Sequence, residues 1–288
     1  EEKIYNEDLT GNGSVYTWLV TPEIKVLSEA FDPVTREPRN MLHIFYGDEE
    51  CSLDMDKCFD NSMWVDLCGV SVDNQKLYFC FYKMMENGAS YCVYSFDKNT
   101  NSLTDEVKVN FENQYAENTY IYKMASKNGI TYIQFSYSDG YENKNSFLII
   151  DGETQKVIDV NEIVWNWYIR DDYKVGLLAE DKETHVKGIY SLDLKSGENT
   201  LESSDETFIE EYWYGYMMED GCAYKIDHSL NLWKYDINTS EEKLELNFND
   251  TNGNLSVLSN STLMYASGDE YIFARSQFYA GGEISFNK

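Results

Sequence analysis

Residues 232–246, LWKYDINTSEEKLEL, set two alternating apolar runs on either side of one polar turn. Alternation of this kind, bounded by turn residues, marks a β-hairpin. Its centre, Asp236-Ile237-Asn238-Thr239, returns as Asp97-Lys98-Asn99-Thr100, Asp151-Gly152-Glu153-Thr154 and Asp193-Leu194-Lys195-Ser196, at spacings of 54, 42 and 43 residues. An Asp at the first position of a turn accepts hydrogen bonds from backbone N–H groups two residues on, so the same residue type recurs wherever the same turn is needed. A second landmark keeps step: a polar turn followed by an apolar strand, in DNQKLYF, KNGITYI, DDYKVGLL, EDGCAYK and SGDEYIF. Taking Tyr78, Tyr132, Leu177, Tyr224 and Tyr271 as equivalent, the intervals are 54, 45, 47 and 47 residues.

Each interval has room for four short strands, as in YWYGYMM, GCAYKID, SLNLWKYD and EKLELNF between residues 212 and 248. Four antiparallel strands every 42 to 54 residues describe a propeller blade, and a repeat of this length is the signature of such architectures. A sandwich has turns every 8–12 residues without the longer period. The expected fold is therefore all-β, a single β-propeller over residues 1–288 with about six four-stranded blades, five and seven being the alternatives. The Asp-x-x-Thr/Ser turns join third to fourth strands. The first blade is irregular: GNGSVYTWLV reads as its second strand, EIKVLSEAF as its third, Asp32-Pro33-Val34-Thr35 as a fifth turn and RNMLHIFYG as its fourth strand. Residues 48–62 fit no strand pattern and read as an inserted acidic loop containing cysteine. The last unit lacks a fourth strand, which residues 1–7 would supply, removing an exposed edge.

Composition agrees. Twenty-four Tyr and fourteen Phe against three Pro favour pleated strands. Fifty-one acidic against 23 basic residues give a net charge of −28, a field that repels phosphate backbones and anionic headgroups and excludes nucleic acid as a partner. No apolar run reaches the roughly 20 residues that span a bilayer, so insertion into a membrane by this chain is not expected. The chain starts Glu1-Glu2, read as a mature sequence trimmed of a leader or anchor. Of six cysteines, Cys80 and Cys92 lie on two arms of one hairpin, where they either face one another or pack as buried thiols.

Large aromatics stand near the start of first strands, which line the channel of a propeller: Trp64, Tyr120, Trp167 and Trp213, with Trp165, Tyr168, Tyr214 and Tyr216 beside them. Rings at a channel mouth would stack on sugars or clamp a peptide, and Trp64, Tyr120, Trp167, Tyr168, Trp213 and Tyr214 are the candidate ligand-binding residues. The competing reading is packing between blades. Trp18 and Trp233 read as core.

Catalytic signals are weak. His43, His185 and His228 lie in different units, and no Gly-x-Ser-x-Gly, phosphate loop, dinucleotide fingerprint or sialidase-type Asp box is present. Asp32 of AFDPVTREPRNMLHIFYG suggests the early catalytic Asp of five-bladed sugar hydrolases, but no Glu-Gly-Pro follows, and among 51 acids some pair will always meet the carboxylate spacing such enzymes need. Calcium candidates are Asp54, Asp56 and Asp60 in one loop and Asp250 in another, without the pattern of an EF-hand, so no cofactor is expected.

The DG-x-x-Y turn at Asp220–Tyr224, the LYxYDxxTxE flavour of residues 232–241 and the opening VYTWLVTPEIKVL resemble propeller-like regions of cell-surface lipoproteins from gut-type Gram-positive bacteria, some of which precede an extracellular solute-binding domain. The resemblance implies an extracellular, envelope-associated domain that binds rather than reacts. The expected function is a non-catalytic module recognising a carbohydrate, peptide or protein, with another domain of the same polypeptide as a further partner. The alternative is a glycoside-active enzyme using an acidic pair in the channel.

Overall fold

The structure is a computed structural model that describes residues 3–5, 15–31, 35, 37–59, 62–86, 88–109, 119–138, 143–204, 216–217, 221–248, 262–267, 270–274 and 283–287. It divides into two compact units, Glu1–Asn110 with Asn254–Asn287, and Phe111–Gly253. Strand β1 (Lys3–Tyr5) pairs with the carboxy-terminal residues 283–285. In the first unit, β2 (Val15–Val20), β3 (Ile24–Phe31), β4 (Pro38–Tyr46) and β5 (Glu49–Asp54) form one antiparallel sheet. A single helical turn, α1 (Met55–Cys58), follows. The next sheet comprises β6 (Trp64–Asp73), β7 (Lys76–Met85), β8 (Gly88–Asp97) and β9 (Ser102–Lys108).

The second unit holds three such sheets. They are β10 (Thr119–Lys127), β11 (Ile130–Ser138), β12 (Asn143–Asp151) and β13 (Thr154–Val160); β14 (Glu162–Asp171), β15 (Lys174–Asp181), β16 (Lys187–Asp193) and β17 (Asn199–Ser203); and β18 (Tyr216–Met217), β19 (Cys222–Ile226), β20 (Asn231–Asp236) and β21 (Glu241–Asn247). The sixth sheet, in the first unit, is composite: β22 (Thr262–Ser267), β23 (Glu270–Ala274) and β24 (Glu283–Asn287), with β1 added beside β24 in the register Lys3↔Ser285. Five uninterrupted meanders and one sheet completed by the amino terminus make this an all-β propeller fold. The fourth strand of the last sheet comes from the residues expected to supply it.

The recurring Asp turn has the expected place between third and fourth strands. Asp193 accepts the N–H of Lys195 at 2.8 Å and of Ser196 at 3.0 Å, and Asp236 those of Asn238 at 2.8 Å and Thr239 at 3.1 Å. The residue after each turn is left-handed, Gly197 at φ +78° and Ser240 at +59°, and its N–H closes onto the carbonyl of the Asp at 2.7 and 2.8 Å. This is a type I turn followed by a left-handed residue, a hairpin loop that matches strand twist. Asp97 follows the pattern, with Asn99 N–H at 2.9 Å and Asn101 at φ +48°. Asp151 does not: Asp151 pairs directly with Thr154, leaving a two-residue turn that starts on Gly152 at φ +57°.

The first blade corrects two expectations. Val15–Val20 is a first strand, not a second, so each assignment there moves by one. The segment 48–62, read as a loop, begins with β5 in full register with β4, from Tyr46↔Glu49 to Met41↔Asp54. Charge hid this edge strand: Leu53 is buried and Cys51 half-buried, while Glu49, Glu50 and Ser52 face solvent. The Asp32-Pro33-Val34-Thr35 segment therefore falls between the second and third strands, and of it only Thr35 is among the described residues. A turn that sequence analysis missed, Asp181-Lys182-Glu183-Thr184 with His185 at φ +56°, has the same hydrogen bonds at the same connection in another sheet.

Cores form between neighbouring sheets of each unit. Val26, Leu42, Ile44, Leu77, Phe79 and Phe81 belong to one cluster, and Tyr132, Phe147, Trp167, Val175, Leu177 and Leu192 to another. The landmark side chains Tyr132, Leu177, Tyr224 and Tyr271 are fully buried, whereas Tyr78 is half-buried and its neighbours Leu77 and Phe79 carry the core. In five sheets the first strand bulges against the second, at Trp18, Cys68, Tyr122, Trp165 and Met264. An inserted residue of this kind bends the strand and re-aims side chains beyond it. Cys80 pairs with Val93 and Cys92 with Phe81, so the two thiols point to opposite faces and cannot bridge; no disulfide joins any of the six cysteines.

One half-buried carboxylate gathers four donors. Asp227, between β19 and β20, receives the N–H groups of Ser229 and Asn231, the Asn231 amide and the Trp233 indole at 2.8–2.9 Å. Burial pushes its carboxyl up, but these donors outweigh it and hold it down at about 2. An unfolded Asp titrates near 3.9. The carboxylate therefore stabilises the fold above about pH 4, and that contribution is lost as pH falls through about 2. Asp227→Ala is expected to lower the melting temperature at pH 7, with the gap to wild type narrowing at pH 2–3 in a melting series. A gap unchanged across that range would contradict the assignment.

Candidate functional site

Trp64 opens β6 and stands 59 % exposed, its indole N–H donating to Asp66 at 2.6 Å. It pairs across the sheet with Met84, and the N–H of Met63 donates to the Met84 carbonyl at 2.8 Å. Met63, Met84 and Met85 are also exposed, so the end of this ribbon presents thioethers and an indole to solvent. Beside it Lys83 donates to Glu106 at 2.6 Å and Tyr94 at 2.8 Å, and lies over the rings of Phe59 and Tyr94. The bond from Lys83 holds the Glu106 carboxyl down at about 2. The lysine is thus neutralised within its own sheet.

Tyr120, in the second unit, is 63 % exposed and packs edge-to-face on exposed Tyr122, with ring centroids 4.8 Å apart. The Ser136 hydroxyl donates to the Tyr122 hydroxyl at 3.1 Å. Tyr120 and Tyr122 are two residues apart on β10, so strand alternation sets both rings on one face, and the strand bulges at Tyr122.

Trp167 and Tyr168 sit elsewhere, and their expected place at a ligand surface is corrected. Trp167 is wholly buried, edge-on to Phe147 at 5.1 Å, with the Lys123 ammonium 5.1 Å from its ring and donating to its carbonyl at 2.6 Å. Tyr168 is buried over Gly176, its cross-strand partner: a Cβ on Gly176 would lie 2.3 Å from the Tyr168 ring. Its ring fills the space a side chain would take, and Arg170 Nε donates to its hydroxyl at 2.7 Å. The reason is position along the strand. Trp64 precedes its landmark by 14 residues, Tyr120 by 12 and Trp167 by 10. At about 3.3 Å per residue, those four residues carry the indole some 13 Å further into the sheet. Trp213 and Tyr214 lie outside the described residues. Trp18 and Trp233 are half-buried against apolar clusters, their indole N–H groups donating to Ser28 and Asp227 at 2.8 Å.

A polar network was not anticipated. Glu29 is buried on β3, accepts from Arg39, and lies 3.3 Å from His43 Nε2. The other ring nitrogen of His43 is 2.9 Å from Glu50 and 3.0 Å from Ser52. The bonds from His43 and Ser52 lower the Glu50 carboxyl. All five residues come from adjacent strands β3, β4 and β5, and the network depends on the strand that sequence analysis read as a loop. Among the described residues no group of three His, Cys, Asp or Glu gathers that could hold a metal ion, and Asp54 instead caps α1 and pairs with Lys57 at 2.7 Å. Asp60 and Asp250 lie outside the described residues.

With this geometry the fold can be set beside known structures. A Hadza microbial sialidase superposes with a TM-score of 0.58 at 8 % identity, over 96 % of this chain and 66 % of that one. The chain is a β-propeller. A polysaccharide lyase gives 0.53 at 8 % identity, over 96 % of this chain and 78 % of that one, and a luciferin-regenerating enzyme 0.50 at 11 %, over 99 % and 94 %. At these identities the likeness is one of fold. No protein-family model and no curated protein sequence matches the chain.

Proposed function

We propose that this propeller is a non-catalytic recognition module of the cell envelope, binding an extracellular carbohydrate, peptide or protein through exposed aromatic side chains. One observation carries the reading: Trp64 and Tyr120 stand at the starts of their strands with more than half their surface in solvent, while Trp167 and Tyr168, drawn from the same periodic pattern, are buried. Exposed large aromatics supply flat apolar faces with polar tips, the side chains most often found at the centre of recognition surfaces. The extracellular setting and its gut-type Gram-positive source follow the resemblance of the blades to surface lipoproteins.

The test is a glycan and peptide array probed with wild type, Trp64→Ala and Tyr120→Ala. At least one ligand should be retained by wild type and lost by one variant, with affinity falling about tenfold or more. Exposed positions contribute little to stability, so melting temperatures should stay near wild type. Wild-type binding unaffected by either variant would remove the aromatics from the site.

A further inference from the structure

We infer that the Met63–Trp64–Met84–Met85 tip receives a basic amphipathic segment of a partner protein; this rests on the reading of Trp64 as a ligand contact. Eleven large hydrophobic side chains are exposed among the described residues, and four of them meet at this one ribbon end. Trp64 and Met84 are cross-strand neighbours and share a face, while Met85 follows on the other, so both faces of the tip are apolar. Thioethers are flexible and polarisable, and methionine-rich surfaces repack around varied apolar side chains.

Charge selects the partner. Among the described residues, two exposed carboxylates lie next to the tip in sequence: Asp66, already oriented by the Trp64 indole, and Glu86 in the turn after Met85. Lys83, the nearby cation, is 11 % exposed and held by Glu106 at 2.6 Å. An apolar tip flanked by carboxylates, on a chain of net charge −28, is complementary to a segment with one apolar and one Lys/Arg-bearing face. The exposed indole adds a seat for a cationic head group. The same charges oppose an anionic bilayer.

The experiment titrates the full chain with a labelled leucine–lysine amphipathic peptide and its leucine–glutamate counterpart, read by fluorescence anisotropy, with phosphatidylcholine and phosphatidylglycerol vesicles in parallel. Wild type should bind only the basic peptide. Trp64→Ala/Met84→Ala should weaken it about tenfold or more, and Asp66→Asn/Glu86→Gln should weaken it and flatten its dependence on salt. Equal binding to wild type and Trp64→Ala/Met84→Ala would reduce the effect to general attraction by an acidic chain and overturn the inference, as would no binding. Vesicle binding lost in the same variant would replace the peptide with a lipid surface. If an array ligand depends on Trp64 while the basic peptide does not, the recognition site stands and this partner class falls.

Discussion

Trp167→Ala is expected to lower the unfolding free energy by about 3–5 kcal/mol, the range for removing a large aromatic from a close-packed core. The side chain is fully buried, makes an edge-on contact with Phe147, and lies beneath the Lys123 ammonium. Its indole N–H has no hydrogen-bond partner among the described residues, so the loss is one of packing. Trp167→Phe keeps most of the ring and removes the unsatisfied donor, and should lose much less. Denaturant unfolding followed by circular dichroism measures both. A loss below about 1 kcal/mol for Trp167→Ala, within the scatter of ordinary surface and near-surface changes, would show that the residue does not fill the core.

Gly176→Ala should cost about 1–3 kcal/mol, the range for forcing extra atoms into a packed interior. The new methyl would lie 2.3–2.8 Å from three atoms of the Tyr168 side chain, two of the ring and its hydroxyl oxygen. Both residues are buried, so neither can swing into solvent. The cause is specific and can be isolated: in a Tyr168→Leu background the clash is gone, and the same glycine substitution should be close to neutral. A double-mutant cycle from unfolding midpoints reads the coupling. Additive effects would contradict the close approach of ring and glycine.

The architecture was legible because its markers are local chemistry repeated at long range. An Asp that accepts N–H groups two and three residues on is written in one residue, and Asp97, Asp193 and Asp236 all use it. The same locality limits the marker. Asp181 makes an identical turn between second and third strands, so the motif reports a hairpin and not which hairpin. That ambiguity displaced the first blade by one strand and left β5, whose solvent face is acidic, looking like a loop.

The site was legible only in part. Of the aromatics near first-strand starts, Trp64 and Tyr120 are exposed and Trp167 and Tyr168 buried, a difference set by up to four residues of position along the strand and by bulges such as that at Trp165. A bulge inserts one residue into an alternating run without a residue type of its own. Glu29 and His43 belong to a network that depends on pairing to β5, and their separation in sequence hides it. The Met84-Met85 pair did carry a signal: two long apolar side chains directly before the turn at Glu86, where polar residues are the norm.

The measurement that tests the account most directly is a titration of the best array ligand against wild type, Trp64→Ala, Tyr120→Ala and Trp167→Phe, with melting temperatures recorded for each. Recognition through exposed aromatics predicts that Trp64→Ala or Tyr120→Ala abolishes binding at unchanged stability, while Trp167→Phe binds as wild type does. Binding that survives both surface substitutions and fails in Trp167→Phe would contradict it.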